Sequence, residues 1–230
     1  GGGEGGNTTL VRGQLIENRL YSVEVLYKAT PNVPEGQHFG SRIAFDQKGH
    51  VFFSVGDRFH RDQYPQDITV DGGKIYRLNL DGSIPQDNPF FNTPEANKAI
   101  YSYGHRNPQG LAMHPETGVL WEHELGPRGG DELNIIDQGL SYGWPVITYG
   151  INYNGTTITE QTEDPAMQQP QYYWVPSIAP CGMAFVTGDR YPNWKNQLLV
   201  GSLKFAYIEM LQLEGTKVIG RQKIAENIGR

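Results

Sequence analysis

One pattern constrains this chain more than any other: it repeats itself at intervals of about seventy residues. The segments Arg42–Asp46, Gly110–His114 and Gly182–Val186 share an apolar–Ala–apolar centre. Their alanines are separated by 68 residues (44 to 112) and 72 residues (112 to 184). Each centre is followed by a turn and a second apolar run: Val51–Asp57, Val119–His123 and Leu198–Leu203. Each module therefore opens with a β-hairpin. A second hairpin is expected in every module, from the match between Lys74–Gly82 and Tyr207–Gly215 and its looser copy Asp131–Gly139. Four strands per repeated unit define a β-propeller blade. A two-sheet sandwich also needs many short strands, but it predicts no seventy-residue self-similarity.

The expected fold is thus all-β, a propeller of four-stranded antiparallel blades. Three modules run from Arg42 to about Ile224, and the loosely alternating Gln14–Lys28 supplies a strand pair before them. The 230 residues are read as a single propeller domain, incomplete at both ends, because closed propellers need four or more blades. The 29 glycines and 15 prolines suit such a turn-rich chain. Two connections are long, Ile84–Ala99 and Pro145–Pro180. The aromatic content of the second suggests a segment packed over one end of the propeller, lining a cleft.

Charge narrows the partners. Nineteen Lys and Arg against 25 Asp and Glu give a net charge of −6, without a basic stripe to neutralise a phosphate backbone, so nucleic acid is excluded. No apolar run is long enough for a membrane-spanning helix. Cys181 is the one cysteine, which rules out an internal disulfide and a thiolate cluster; its apolar neighbours read as a buried, inert thiol. The histidines lack HxxxH-type spacing, which argues against zinc.

The chemistry concentrates in Tyr101–Asn134, where His105-Arg106-Asn107-Pro108 and Gly126-Pro127-Arg128-Gly129-Gly130-Asp131 flank one strand pair. Carbonyl-rich turns beside fixed Arg and Asn suit an anion and a hard cation. Propeller loops of one end converge on one mouth, which groups Arg106 and Asn107 with His38, before the first strand of its blade, and Lys204, after the second strand of its own. A neutral histidine beside cations is a candidate general base. Arg106, Lys204 and Arg230 together suit a ligand with several carboxylates. No GxSxG or GxGxxG motif points to a serine hydrolase or a Rossmann cofactor.

Gln37–Arg42, Gly73–Leu78 with Asp81–Phe90, Tyr103–Gly110, Gly126–Asn134 and Tyr142–Pro145, in this order and spacing, resemble the soluble PQQ-dependent aldose sugar and glucose dehydrogenases. That family is a six-bladed propeller, and this chain looks like its central portion. The resemblance implies oxidation of the C1 hydroxyl of an aldose to a lactone, with PQQ and Ca²⁺ as cofactors, an external electron acceptor, and a periplasmic or secreted location. It implies that His38 is the base and that Arg106 hydrogen-bonds the quinone. Asn107, Lys204 and Arg230 would hold the PQQ carboxylates, and the backbone carbonyls of Gly126 and Pro127 the calcium. Leu125 departs from the family, which usually carries a polar residue there. The alternative is a non-catalytic propeller of the same ancestry that binds a sugar or a protein. A Ca²⁺-dependent propeller lactonase would need more side-chain oxygen ligands than Asn107 and Asp131 supply.

Overall fold

The structure is a computed structural model that describes residues 5–228. It contains fourteen strands and one 3₁₀ turn, Pro192–Trp194, among the described residues. An opening hairpin pairs β1 (Thr9–Ile16) with β2 (Arg19–Lys28). Its two-residue turn, Glu17-Asn18, has φ of 45° and 67°, the left-handed geometry that matches the twist of a tight hairpin.

Three four-stranded antiparallel meanders follow. Blade 1 is β3 (Ile43–Phe45), β4 (His50–Val55), β5 (Lys74–Asn79) and β6 (Ile100–Tyr103). Blade 2 is β7 (Pro108–Met113), β8 (Leu120–Glu124), β9 (Asp131–Ile135) and β10 (Tyr172–Trp174). Blade 3 is β11 (Pro180–Phe185), β12 (Leu198–Ser202), β13 (Tyr207–Glu214) and β14 (Lys217–Glu226). The first strands of neighbouring blades, β3, β7 and β11, lie against one another. The repeat is therefore a blade repeat, and the propeller reading holds.

The middle strands of blades 1 and 2 are buried on both faces because each of these blades is covered on both sides, whereas β12 of blade 3 alternates buried with half-buried residues. Val51, Phe53 and Val55 of β4 pack with Leu10 and Ala29 of the hairpin strands and their exit, whereas Phe52 of the same strand joins Leu111, Leu120 and Tyr142 of blade 2. Trp121 and Leu133 point the other way, onto Leu198, Val200 and Leu211 of blade 3. Strands buried on both faces read as continuous apolar runs rather than alternations.

Two expectations need correction. A tight second hairpin closes only blade 3, where Gly215-Thr216 join β13 to β14. In blades 1 and 2 the turns at Gly82 and Gly139 have positive φ but lead the chain away, and the fourth strand arrives after residues 80–99 and 136–171. The aromatic run in Pro145–Pro180 is not wholly a covering loop either. Tyr172–Trp174 form β10, with Leu133, Glu132 and Asp131 as partners, and the Trp174 indole donates to Glu209 of blade 3 at 2.7 Å.

Candidate active site

The turn Glu35–Ser41 brings the chain from the hairpin into blade 1, and His38 sits in it with φ of 55°. Left-handed geometry is unfavourable for a non-glycine residue and persists where surrounding contacts enforce it. One such contact is Gly56, just past β4: a Cβ there would lie 2.3 Å from the His38 carbonyl oxygen, so only glycine permits the approach.

The next residue, Asp57, holds the imidazole. His38 Nδ1 lies 2.6 Å from Asp57 Oδ1, the Trp144 indole donates to Oδ2 at 2.8 Å, and the Phe59 amide donates to Oδ1 at 2.9 Å. Burial alone would raise the Asp57 pKa, but the His38 bond and charge, the Phe59 amide and the nearby Arg106 outweigh it and hold the carboxyl below its usual value. An ionised carboxylate only accepts, so Nδ1 carries a proton, and in the neutral ring Nε2 is the nitrogen with the free lone pair.

Arg106 is placed by its own backbone: its amide donates to Glu124 Oε2 at 2.7 Å, and its carbonyl accepts from the Asp57 amide at 2.7 Å. Its Nη1 donates to the carbonyls of Leu125 at 2.6 Å and Gly126 at 2.8 Å, and its guanidinium lies 5.4 Å from the Trp144 ring centroid. Gly126 donates to Asp131 Oδ1 at 2.9 Å, and a Cβ on it would come within 2.2 Å of the Gly130 carbonyl oxygen. Gly126 is thereby held at both its amide and its carbonyl.

His38, Asp57, Arg106, Pro127 and Trp144 line a single cavity of about 280 Å³. Phe59, Arg61, Asp62, Asn152 and Tyr153 complete its wall, and Arg61 Nη1 spans to Asn152 Oδ1 at 2.8 Å. The long connection of blade 2 does supply lining, through Asn152 and Tyr153.

Of the residues singled out in the sequence, the structure brings together His38, Arg106 and Pro127, with Gly126 hydrogen-bonded to Arg106. Asn107 sits behind them: its Oδ1 accepts from the Gly40 amide at 3.1 Å and from Gln109 at 3.2 Å, tying the His38 turn to β7. Lys204 is exposed, with its ammonium 5.1 Å from the Phe205 ring centroid, and does not line the cavity. Arg230 lies outside the described residues. Leu125 contributes main-chain atoms, its carbonyl to Arg106 and its amide to Asn107 at 3.0 Å.

Sequence reasoning missed Asp57 and Trp144. A usable signal existed for Asp57, which falls in register with Leu125 when the first two modules are aligned. Also missed is a buried polar layer behind Arg106. His105 Nδ1 and the Glu122 and Glu124 carboxylates offer atoms within 4.8 Å of one another, a set that chain spacing does not reveal. Burial, with repulsion from Glu124 and Glu132, pushes Glu122 well above the usual carboxylate range; burial, with repulsion from Glu132, does the same to Glu124; burial lifts Glu132 to about 8, and burial with the Lys74 charge lowers His105 to about 3.

The guanidinium groups of Arg61 and Arg106 and the Trp144 indole on the cavity wall, beside the carboxylates of Asp57 and Asp62, suit a planar group with anionic substituents, and the carbonyls of the Gly126-Pro127 turn are oxygen donors of the kind calcium takes. The Gly126 oxygen is held by Arg106 Nη1, so a cation on it requires Arg106 to give up that bond.

Fold and site together define a propeller with a histidine–carboxylate pair and an arginine at the loop end of its blades. The chain belongs to the glucose/sorbosone dehydrogenase family, whose profile matches residues 1–230. It is 40% identical over 215 residues to the aldose sugar dehydrogenase YliI of Escherichia coli (strain K12), covering 93% of this chain and 58% of that protein. Among solved structures, a glucose dehydrogenase superposes with a TM-score of 0.94 at 40% identity, over 97% of this chain and 66% of that one. The PQQ-bound aldose sugar dehydrogenase of Streptomyces coelicolor superposes with a TM-score of 0.76 at 28% identity, over 98% of this chain and 61% of that one. The chain thus spans less than two thirds of these relatives. Among the described residues no helix is long and apolar enough to cross a membrane.

Proposed function

We propose that the protein oxidises the C1 hydroxyl of aldose sugars to lactones, using PQQ held with Ca²⁺ in the cavity between His38 and Arg106. The observation that carries this reading is the convergence of a tautomer-fixed histidine and a buried arginine on one cavity, both held by Asp57, whose carboxylate lies 2.6 Å from His38 Nδ1 and whose amide donates to the Arg106 carbonyl at 2.7 Å. Support comes from membership in a sugar dehydrogenase family and from a PQQ-bound relative.

His38 Nε2 takes the proton of the C1 hydroxyl as the C1 hydrogen leaves as hydride. Asp57 keeps the ring in the accepting tautomer and stabilises the imidazolium that forms, the role a buried carboxylate plays behind a catalytic histidine. Arg106 directs donors at oxygen where negative charge grows, in a cavity lined by Trp144 and Pro127. PQQ, when bound, supplies the two-electron acceptor, and calcium on the Gly126 and Pro127 carbonyls the Lewis acid that polarises it. Asn107 acts through the His38 turn, and Lys204 and Arg230 remain candidates for the cofactor's carboxylates. An external acceptor reoxidises the cofactor, and a periplasmic or secreted location follows from the family reading.

Adding PQQ and Ca²⁺ to the purified protein and following dye reduction by glucose and other aldoses tests this. Absence of dye reduction, together with a melting temperature indifferent to PQQ, sinks it. A non-catalytic sugar-binding role is favoured by the absence of Lys204 from the cavity lining; calorimetric sugar binding without any quinone would distinguish it.

A further inference from the structure

Arg58 is fully buried and, among the described residues, forms no ion pair. A buried guanidinium without a carboxylate must place its donors on other oxygens or bear a large desolvation cost. Here Nε donates to the Gln37 carbonyl at 2.9 Å, Nη2 to the Glu35 carbonyl at 2.5 Å, and Nη1 to the Gly6 carbonyl at 2.8 Å and Asn7 Oδ1 at 3.3 Å. The guanidinium also lies 3.6 Å from the centroid of the Phe39 ring. Three of these contacts, to Glu35, Gln37 and Phe39, fall on the turn that carries His38, on both sides of it.

Asp57 and Arg58 are consecutive, and in extended backbone consecutive side chains diverge to opposite faces. The left-handed backbone of Arg58 and Phe59, with φ of 52° and 70°, bends the chain so that both side chains reach the same turn. Asp57 grips the ring and Arg58 grips the main chain. A strained His38 needs both, since orientation of the ring by Asp57 is useful only where its Cα is fixed.

We propose that Arg58 is a positioning residue for His38, acting through the main chain of Glu35–Phe39. The assignment rests on the reading of His38 as the base, but its structural part is measurable without that reading.

The experiment compares Arg58→Met and Arg58→Lys with the wild type by NMR on the protein without cofactor. It reads the His38 Nδ1–H resonance, assigned by its loss in His38→Ala, and exchange of the Gly40 and Ser41 amides, which donate to Asn107 Oδ1 at 3.1 Å and to the Ser54 carbonyl at 2.9 Å, against Leu199–Gly201 of blade 3. Arg58→Met is expected to erase the resonance and speed exchange at Gly40 and Ser41 at least about tenfold, while blade 3 keeps its rates, the pattern of local opening. Arg58→Lys, which folds with less disruption but lacks the planar fork, is expected to follow Met rather than wild type. In the PQQ- and Ca²⁺-loaded enzyme, turnover should fall about 10- to 100-fold with KM nearly constant, as for a misplaced reacting group. Arg58→Met should add no further loss in a His38→Ala background. An unchanged resonance and unchanged local exchange overturn the proposal, as does equal acceleration in blade 3. Wild-type turnover by His38→Ala would instead overturn the base assignment, leaving the exchange result to decide on Arg58.

Discussion

Gly56→Ala perturbs the site without removing any functional group. The added methyl carbon would stand 2.3 Å from the His38 carbonyl oxygen and 2.8 Å from Asn107 Oδ1. Non-bonded Cβ atoms do not approach closer than 3.0 Å, so the His38 main chain must retreat by at least the 0.7 Å difference. The neighbour is backbone and cannot swing aside, which sets the overpacking cost at about 1–3 kcal/mol. For a domain of this size that is a loss of about 2–12 °C in Tm. The same retreat lengthens the 2.6 Å bond from His38 to Asp57 and moves Nε2 off its target. A misplacement near 1 Å lowers turnover on the order of 10²-fold. Differential scanning fluorimetry and dye-linked aldose oxidation by the loaded enzyme, corrected for folded fraction, measure both quantities. Wild-type Tm with wild-type turnover would refute the packing argument. Lowered Tm with full turnover per folded molecule would refute the link from packing to His38.

Three further outcomes follow. Asp57→Asn keeps the shape but admits the wrong imidazole tautomer, so turnover should fall by about 10³-fold or more with sugar KM little changed, read by steady-state kinetics. The buried layer behind Arg106 predicts opposing pH effects. Glu132, raised to about 8, contributes stability that is complete below its unfolded value and lost as pH rises through 8. His105, lowered to about 3, contributes stability that is complete above its unfolded value near 6.5 and lost as pH falls toward 3. Urea titrations across pH should accordingly show Glu132→Gln flattening the decline between about pH 4.5 and 8, and His105→Gln the decline between about pH 6.5 and 3. Trp174→Phe deletes the 2.7 Å bond to buried Glu209, which should cost about 2–3 kcal/mol in denaturant unfolding while turnover per folded molecule stays unchanged.

The fold was legible because the blade repeat is written in local patterns: each first hairpin carries its apolar runs and turn within about twenty residues. β10 was not, since three residues after a 36-residue excursion become a strand only by pairing with Leu133, Glu132 and Asp131. The site divides in the same way. His38, Arg106 and the Gly126-Pro127 turn announce themselves by residue type beside strand ends. Trp144 reaches Asp57 across 87 positions of sequence, and nothing local to either marks the meeting. Lys204 shows the limit of reasoning from blade ends alone. It follows the second strand of its blade as Gly126 does, yet it is exposed beside Phe205 and is not among the residues lining the cavity.

The central claim is that hydride leaves the sugar's C1 in the cavity where His38 accepts the hydroxyl proton. Anaerobic stopped-flow mixing of the loaded enzyme with an aldose deuterated at C1, in wild type and His38→Gln, tests it most directly. The expected result is cofactor reduction slowed by deuterium in the wild type and slowed by about 10²–10⁴-fold by His38→Gln. Reduction at the same rate in both proteins, or with no isotope effect in either, would contradict the account.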